Sequence, residues 1–167
     1  RGEDFSDTCV DKYKKNRSLI FWGSFAGRER RPHVFWEIEW GGMSSERYRK
    51  YSLPTAIDLI HLERRETCGA YALMQDNAPV HRAFPAMNFL EANGIVPISW
   101  PAYFSDLNPI EHVWSTIESY IQGNYPEFER TRQRNMAEVR AIVEEVLFQG
   151  TSEDKLFRLI DSMNRRC

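Results

Sequence analysis

The sequence predicts one mixed α/β domain, and three observations lead to that class. Two aromatic, β-rich stretches near the amino end predict a hairpin. Two short apolar stretches in the middle flank a helical pattern, which predicts a strand–helix–strand unit. Three further segments with helical spacing complete the chain. Its 167 residues are enough for one domain with a sizeable core.

The hairpin is predicted from Leu19–Phe25 (LIFWGSF) and His33–Trp40 (HVFWEIEW). The second stretch alternates between an all-apolar face and a face that carries two glutamates, which is the period of a strand. Gly27 and its charged neighbours predict the turn between them.

The middle of the chain predicts helix, strand, helix and strand in that order. Ser44–Glu66 is helical in pattern, with a break, kink or restart at Pro54, because proline costs about 3 kcal/mol inside a helix. Strands are predicted at Ala70–Gln75 and Ile95–Trp100, and a helix at Arg82–Ala92 that ends at a left-handed Asn-Gly stop. The residues of this helix predicted to face the core are Ala83, Met87 and Leu90.

Three helices are predicted in the last third of the chain from their start signals. Asn108 is a good N-cap, Pro109 suits the first helical position, and Glu111 then falls at the third. Asn135 opens the second helix as part of a capping box, and Ser152 opens the third.

Composition limits the class of protein without naming a function. The formal net charge is −2, whereas a stand-alone nucleic-acid binder is usually basic. Local basic clusters fit either phosphate contacts or solvated surface, so charge alone does not decide. We recognise no membrane span or secretory signal. The three cysteines form no CxxC pair, which argues against a disulfide framework or a zinc knuckle and favours a reducing compartment.

Two carboxylates occupy marked positions, with 34 residues (77–110) between them. Asp76 follows an apolar stretch, and ligands gather at the carboxyl ends of strands in open α/β sheets. Glu111 falls in a first helical turn, where the macrodipole favours negative charge. Converging carboxylates are stable around a hard cation such as Mg²⁺, which serves phosphoryl transfer. The structural alternatives are an Asx turn for Asp76 and a capping-box role with Asn108 for Glu111.

The motifs QDNAPVH and WPAYFSDLNPIEHVW, at this separation, resemble the catalytic domain of mariner-type DDE transposases. The segments FWGSF, MSSERY and SMNRR resemble further parts of that domain in the same order. The resemblance implies that residues 1–167 are a partial DDE transposase/integrase catalytic domain. It also implies an RNase H-like fold, an α/β architecture in which a mixed sheet is flanked by helices.

The resemblance assigns roles to individual residues. Asp76 matches the second acid of the catalytic triad and Glu111 the third, so both are expected to be catalytic and to bind Mg²⁺ or Mn²⁺. Asn77 and His81 match the loop after the second acid. They are expected to help position DNA or a metal-bound water, or otherwise to satisfy loop backbone groups.

The implied function is metal-dependent DNA cleavage and strand transfer in cut-and-paste DNA transposition. The implied partners are transposon ends, target DNA and a second copy of the chain, in the nucleus of a eukaryote or otherwise in the cytoplasm. In the family, the first acid lies on the first central strand, before the arm that corresponds to residues 1–17. We expect that acid, that strand and the helix-turn-helix region that reads transposon ends to be absent from this chain, which would leave it inactive alone.

Departures from the family pattern and two other functions stay open. Phe104-Ser105 replaces the usual Ser-Pro, and Asn164 replaces the proline of the closing motif, which puts loop shape in doubt. One alternative is a co-opted, non-enzymatic domain that binds DNA or protein. The other is a different hydrolase that uses Asp76 and Glu111 as an acid/base pair.

Overall fold

The predicted hairpin is present in the structure, a computed structural model that describes residues 20–26, 29–69, 71–99, 108–126, 135–149 and 152–163. Strands β1 (Phe21–Ala26) and β2 (Glu29–Phe35) pair antiparallel, with Phe21 opposite Phe35. The turn predicted at Gly27 lies outside the described residues.

The second strand is shorter than predicted. After β2 the chain forms a 3-10 turn at Ile38–Trp40, so a strand that continues to Trp40 is wrong. The Trp36 indole Nε1 donates to the carbonyl of Gly41 over 2.7 Å. Gly41 has a φ of 67°, in the left-handed region that glycine adopts without strain. This bond and the backbone of Gly41 form a tight bend, although apolar and polar residues still alternate at this point of the sequence.

After the hairpin the described residues are mainly helical. The helices are α1 (Ser45–Tyr51), α2 (Leu53–Thr67), α3 (Pro79–Arg82), α4 (Phe84–Ala92), α5 (Pro109–Asn124), α6 (Met136–Gln149) and α7 (Glu153–Met163). The restart predicted at Pro54 is confirmed, because α1 ends before Ser52 and Pro54 lies in the first turn of α2. None of the helices in the described ranges is long and apolar enough to cross a membrane.

The helix predicted at Arg82–Ala92 is interrupted. Ala83 has extended backbone between α3 and α4, and Pro85 lies in the first turn of α4, where its fixed φ suits a new helix. Leu90 is fully buried as predicted, but Ala86 is buried in place of Met87, which was predicted to face the core and is 37% exposed. The predicted stop is confirmed by Gly94, which has a φ of 67°.

The two middle strands were predicted from apolar composition, and neither is assigned as a strand in residues 71–75 or 95–99. The two segments contact each other, since the amide of Ile98 donates to the carbonyl of Leu73 over 2.8 Å. A parallel ladder needs a regular series of such bonds. Ala72, Val96 and Ile98 are exposed, so the segments also lack the two-sided cover typical of central parallel strands.

Two hydrophobic cores contact the hairpin. The first core joins the α1–α2 and α4 helices with Ile95: Tyr48, Leu53, Ile57, Ile60, Ala86, Leu90 and Ile95. The second core joins α5, α6 and α7: Val113, Ile117, Ile142, Val146 and Leu156. Trp22 of β1 packs against the first core and Phe25 of β1 against the second. β1 therefore connects the part of the chain that carries Asp76 with the part that carries Glu111.

Candidate active site

Asp76 lies in the loop between residues 71–75 and α3, and its carboxylate is held by two donors. The amide of Ala78 donates to Oδ1 over 3.1 Å, and Nδ1 of His81 lies 2.6 Å from the same oxygen. The Asx turn is therefore present. About two fifths of the side chain is exposed (42%), so the carboxylate is fixed and also accessible.

The sequence of the loop explains how His81 returns to Asp76. Pro79 opens α3, where its missing amide hydrogen costs no helical bond. The amide of His81 donates to the carbonyl of Ala78 over 2.9 Å, and the single helical turn brings the imidazole back over Asp76. The short α3 thus positions His81 rather than adding to a core.

Tyr48 and Gln75 support this loop, and the sequence analysis assigned neither a role. Tyr48 is 1% exposed, its hydroxyl donates to Oε1 of Gln75 over 3.0 Å, and its ring centroid lies 4.6 Å from that of His81. Burial raises the pKa of Tyr48 well above its usual value, and the negative charge of Asp76 adds to that rise. A hydrogen bond from Trp22 opposes it. Tyr48 therefore remains a protonated donor; the only signal for it was its place in MSSERY.

Glu111 lies in the first turn of α5 and is exposed. Asn108 caps this helix as predicted: its Oδ1 accepts from the amide of Ile110 over 3.3 Å, and its carbonyl accepts from the amide of Glu111 over 3.1 Å. Trp114, one turn further along, meets Phe21 of β1 edge to face with ring centroids 5.3 Å apart. This contact fixes the start of α5 against the hairpin.

The structure brings Asp76 and His81 into direct contact, with the partly buried Asn77 in the same loop. Glu111 lies on a different element, helix α5. β1 links the two: its Trp22 hydrogen-bonds Tyr48 beside Asp76, and its Phe21 packs on Trp114 beside Glu111. The convergence of the two carboxylates on one cleft stays a prediction.

Asp76 and Glu111 carry carboxylate oxygens, which are the ligands that a hard divalent cation prefers. Within the described part of the chain, both hydrogen bonds to Asp76 go to Oδ1, which leaves Oδ2 for such a cation. The described residues contain no group of three or more His, Cys, Asp or Glu side chains that could hold a metal ion. That Asp76 and Glu111 share a metal ion stays a prediction. The aspartates of the arm at residues 1–17 lie outside the described residues: Asp4, Asp7 and Asp11.

The fold is similar to that of solved transposase catalytic domains. The structure of the Mos1 transposase catalytic domain and Raltegravir with Mn superposes with a TM-score of 0.69 at 16% identity, over 89% of this chain and 75% of that one. The crystal structure of the catalytic domain of Mos1 mariner transposase superposes with a TM-score of 0.65 at 16% identity, over 95% of this chain and 84% of that one. The arrangement is thus the predicted RNase H-like α/β class.

The family follows from the sequence as well. Residues 39–132 match the family described as DDE superfamily endonuclease, and this segment is more than half of the chain. The chain therefore belongs to the DDE superfamily endonucleases, and the predicted resemblance to mariner-type transposases is confirmed.

Curated relatives are transposases of nematode transposable elements. The Tcb2 transposase of Caenorhabditis briggsae is 30% identical over 62% of this chain and 35% of that protein. The Tc1 transposase of Caenorhabditis elegans is 30% identical over 58% and 33%, and the Tc3 transposase of the same organism is 24% identical over 86% and 43%. The chain thus spans about a third to two fifths of the length of these relatives.

Proposed function

We propose that this chain supplies part of the centre for metal-dependent DNA cleavage and strand transfer in DNA transposition. The observation that carries the proposal is that the family match over residues 39–132 includes both Asp76 and Glu111. Residues 1–167 are accordingly proposed as part of one DDE catalytic domain, with DNA as partner and a second copy of the chain as a possible assembly. We propose a nuclear location in a eukaryotic cell and a cytoplasmic one otherwise.

In this proposal each side chain has a defined task. Asp76 offers a carboxylate whose Oδ1 is already fixed by Ala78 and His81. Glu111 offers a second carboxylate at a helix start, where the positive end of the dipole lowers the cost of its charge. A bound Mg²⁺ or Mn²⁺ would supply activation of the attacking hydroxyl and stabilisation of the leaving oxygen. Asn77 and His81 are proposed to contact DNA beside Asp76.

Mn²⁺ binding tests the two carboxylates directly. We expect Asp76→Ala and Glu111→Ala each to abolish Mn²⁺ binding, measured by calorimetry or by paramagnetic broadening of amide signals. Mn²⁺ should bind more readily than Mg²⁺, which demands stricter geometry and dehydrates reluctantly. Glu118→Ala is the matched control, because Glu118 is an exposed glutamate further along α5. Equal weakening by Glu118→Ala would mean that the ion senses diffuse surface charge.

DNA cleavage gives a second, independent test. We expect the 167-residue chain alone not to nick transposon-end DNA in Mg²⁺ or Mn²⁺, because the described residues hold no group of three or more side chains that could bind a metal ion. Metal-dependent nicking that Asp76→Asn abolishes would show that the chain holds a complete set of acids. Nicking without added metal would favour the hydrolase that uses the same residues as an acid/base pair. The comparisons do not favour a co-opted, non-enzymatic domain over transposition.

A further inference from the structure

We propose that His81 is a positioning residue for Asp76: its Nδ1–H holds Oδ1, so that Oδ2 keeps one orientation toward a divalent cation. This inference rests on the proposed function of Asp76. In this role His81 acts on Asp76 through its Nδ1 atom, whereas a contact between His81 and DNA would use Nε2.

The first observation is the geometry of the contact. The distance of 2.6 Å between Nδ1 and Oδ1 is short for an N–H···O bond, and hydrogen bonds to a charged partner are shorter than neutral ones. A carboxylate can only accept, so Nδ1 carries the hydrogen. In the neutral ring Nε2 is then the acceptor. The contact therefore selects one tautomer of His81.

The second observation is that the imidazole cannot easily turn away. The His81 side chain is 17% exposed, and the ring packs against that of Tyr48. Gln75 joins these groups, because it accepts from the Tyr48 hydroxyl at 3.0 Å and its Nε2 lies 3.5 Å from the His81 carbonyl. A core tyrosine thus supports the histidine that holds the carboxylate.

The third observation is how the two donors divide the carboxylate. Ala78 N–H and His81 Nδ1–H both use Oδ1, and two donors on one oxygen restrict rotation of the carboxyl group. Hydrogen bonds to a ligating carboxylate orient it, and loss of such a partner typically weakens metal binding about 10–100-fold. Ala78 supplies a backbone donor that only a proline would remove, so the test targets His81.

Two amide substitutions separate the possible roles of His81. In His81→Asn the amide nitrogen stands one bond from Cγ, as Nδ1 does, whereas in His81→Gln it stands two bonds away, as Nε2 does. His81→Leu removes both nitrogens and keeps an apolar side chain beside Tyr48. We expect His81→Leu and His81→Gln to weaken Mn²⁺ binding to the chain about 10-fold or more, and His81→Asn to restore most of it.

Two further measurements exclude a merely structural effect. The thermal midpoint of each variant reports on folding, and a variant that weakens Mn²⁺ binding without lowering the midpoint acts at the site. Long-range ¹H–¹⁵N spectra of the imidazole report the tautomer. We expect Nδ1–H for His81, with a signal that moves in Asp76→Asn. His61→Leu, a histidine on α2, is the control and should leave Mn²⁺ binding unchanged.

The outcomes distinguish this proposal from the proposed function. Full Mn²⁺ binding by His81→Leu, together with its loss in Asp76→Ala, would overturn the positioning role and leave the function of Asp76 intact. Restoration by His81→Gln in place of His81→Asn would also overturn it, because Nε2 would then be the acting atom. Full binding by Asp76→Ala would reject the metal site itself and the positioning role with it.

Discussion

At the scale of single residues, Asp76 combines a structural role with a proposed chemical one. Its Oδ1 accepts from Ala78 and His81, which closes the loop before α3. Its exposed carboxylate also carries the negative charge that a cation requires. Asparagine keeps an oxygen at the same place and removes the charge, so the two roles can be separated by substitution.

We predict that Asp76→Ala lowers the free energy of unfolding by about 1–2 kcal/mol, because the Ala78 amide and His81 lose their acceptor. Asp76→Asn should cost less than half of that and should still abolish Mn²⁺ binding. Urea denaturation and Mn²⁺ titration of the same two samples measure the two effects. If Asp76→Asn destabilised the chain as much as Asp76→Ala, the charge and not the acceptor geometry would hold the loop.

The sequence predicted part of this site and missed its support. Asp76 and His81 were found because they lie in a recognisable motif, and Asn108 because its helix has clear start signals. Tyr48 and Gln75 were assigned no role, because their hydrogen bond joins residues 27 positions apart that no local pattern links. Their contribution depends on how α1 packs against the loop, which is a feature of tertiary structure.

At the scale of elements, Arg64 of α2 anchors residues 71–75, the segment that leads into Asp76. Its guanidinium donates to the carbonyl of Tyr71 through Nε (3.1 Å) and Nη2 (2.8 Å), and to the carbonyl of Gly94 through Nη1 (3.1 Å). One side chain thus ties Tyr71 and the turn after α4 to the same helix. A rigid planar fork can span two carbonyls in this way, whereas a lysine ammonium acts as a single point charge.

We predict that Arg64→Lys lowers the free energy of unfolding by about 1–3 kcal/mol, since hydrogen bonds to charged groups are lost at two carbonyls. Arg65→Lys is the control: Arg65 is exposed, and its change should stay within about 0.5 kcal/mol. The midpoint of urea unfolding at constant slope is the measurement. Equal effects of the two substitutions would show that Arg64 acts through general charge.

A second element-scale prediction concerns the contact of β1 with α5. A methyl group added at Gly23 would lie 3.0 Å from Cη2 of Trp114, which is too close for an ordinary contact. Gly23→Ala should therefore lower the free energy of unfolding by about 1–3 kcal/mol through overpacking. Gly123→Ala in α5 meets nothing within 4 Å and should leave stability unchanged or raise it by up to about 1 kcal/mol. Near-UV circular dichroism of Trp114 would report the displaced ring.

The strand predictions differed in outcome for a physical reason. The pairing of the hairpin was predicted correctly, though not the end of its second strand, because antiparallel neighbours are local and their alternation is visible in sequence. The segments 71–75 and 95–99 have the composition of strands, but whether they form a ladder depends on neighbours that composition does not specify. In α4 the prediction was right for the buried Leu90 and wrong for the exposed Met87, because Pro85 restarts the helix three residues after the predicted start at Arg82.

At the scale of the whole molecule, a few long-range pairs join the hairpin to the last helices. Glu37, just after β2, accepts a hydrogen bond from Nη2 of Arg140 on α6 over 2.7 Å. The Arg140 guanidinium also lies over the Phe35 ring, 5.4 Å from its centroid. The bond between Glu37 and Arg140 bridges 103 positions of sequence. These contacts hold the second core against the same hairpin that borders the Asp76 loop, so the relative placement of Asp76 and Glu111 depends on them.

This bridge makes stability depend on pH in a predictable direction. The hydrogen bond from Arg140 and its positive charge lower the pKa of Glu37 below its ordinary value of 4.5, against a smaller rise from burial. A carboxyl group whose pKa is lowered by folding stabilises the folded state above its unfolded pKa, and that contribution is lost as pH falls through the folded pKa. We therefore predict that the thermal midpoint of the wild-type chain falls more steeply between about pH 6 and about pH 3 than that of Glu37→Gln. Glu46→Gln, at an exposed glutamate of α1, should leave the wild-type slope unchanged. Parallel curves for wild type and Glu37→Gln would show that the pair is too well solvated to couple the hairpin to α6.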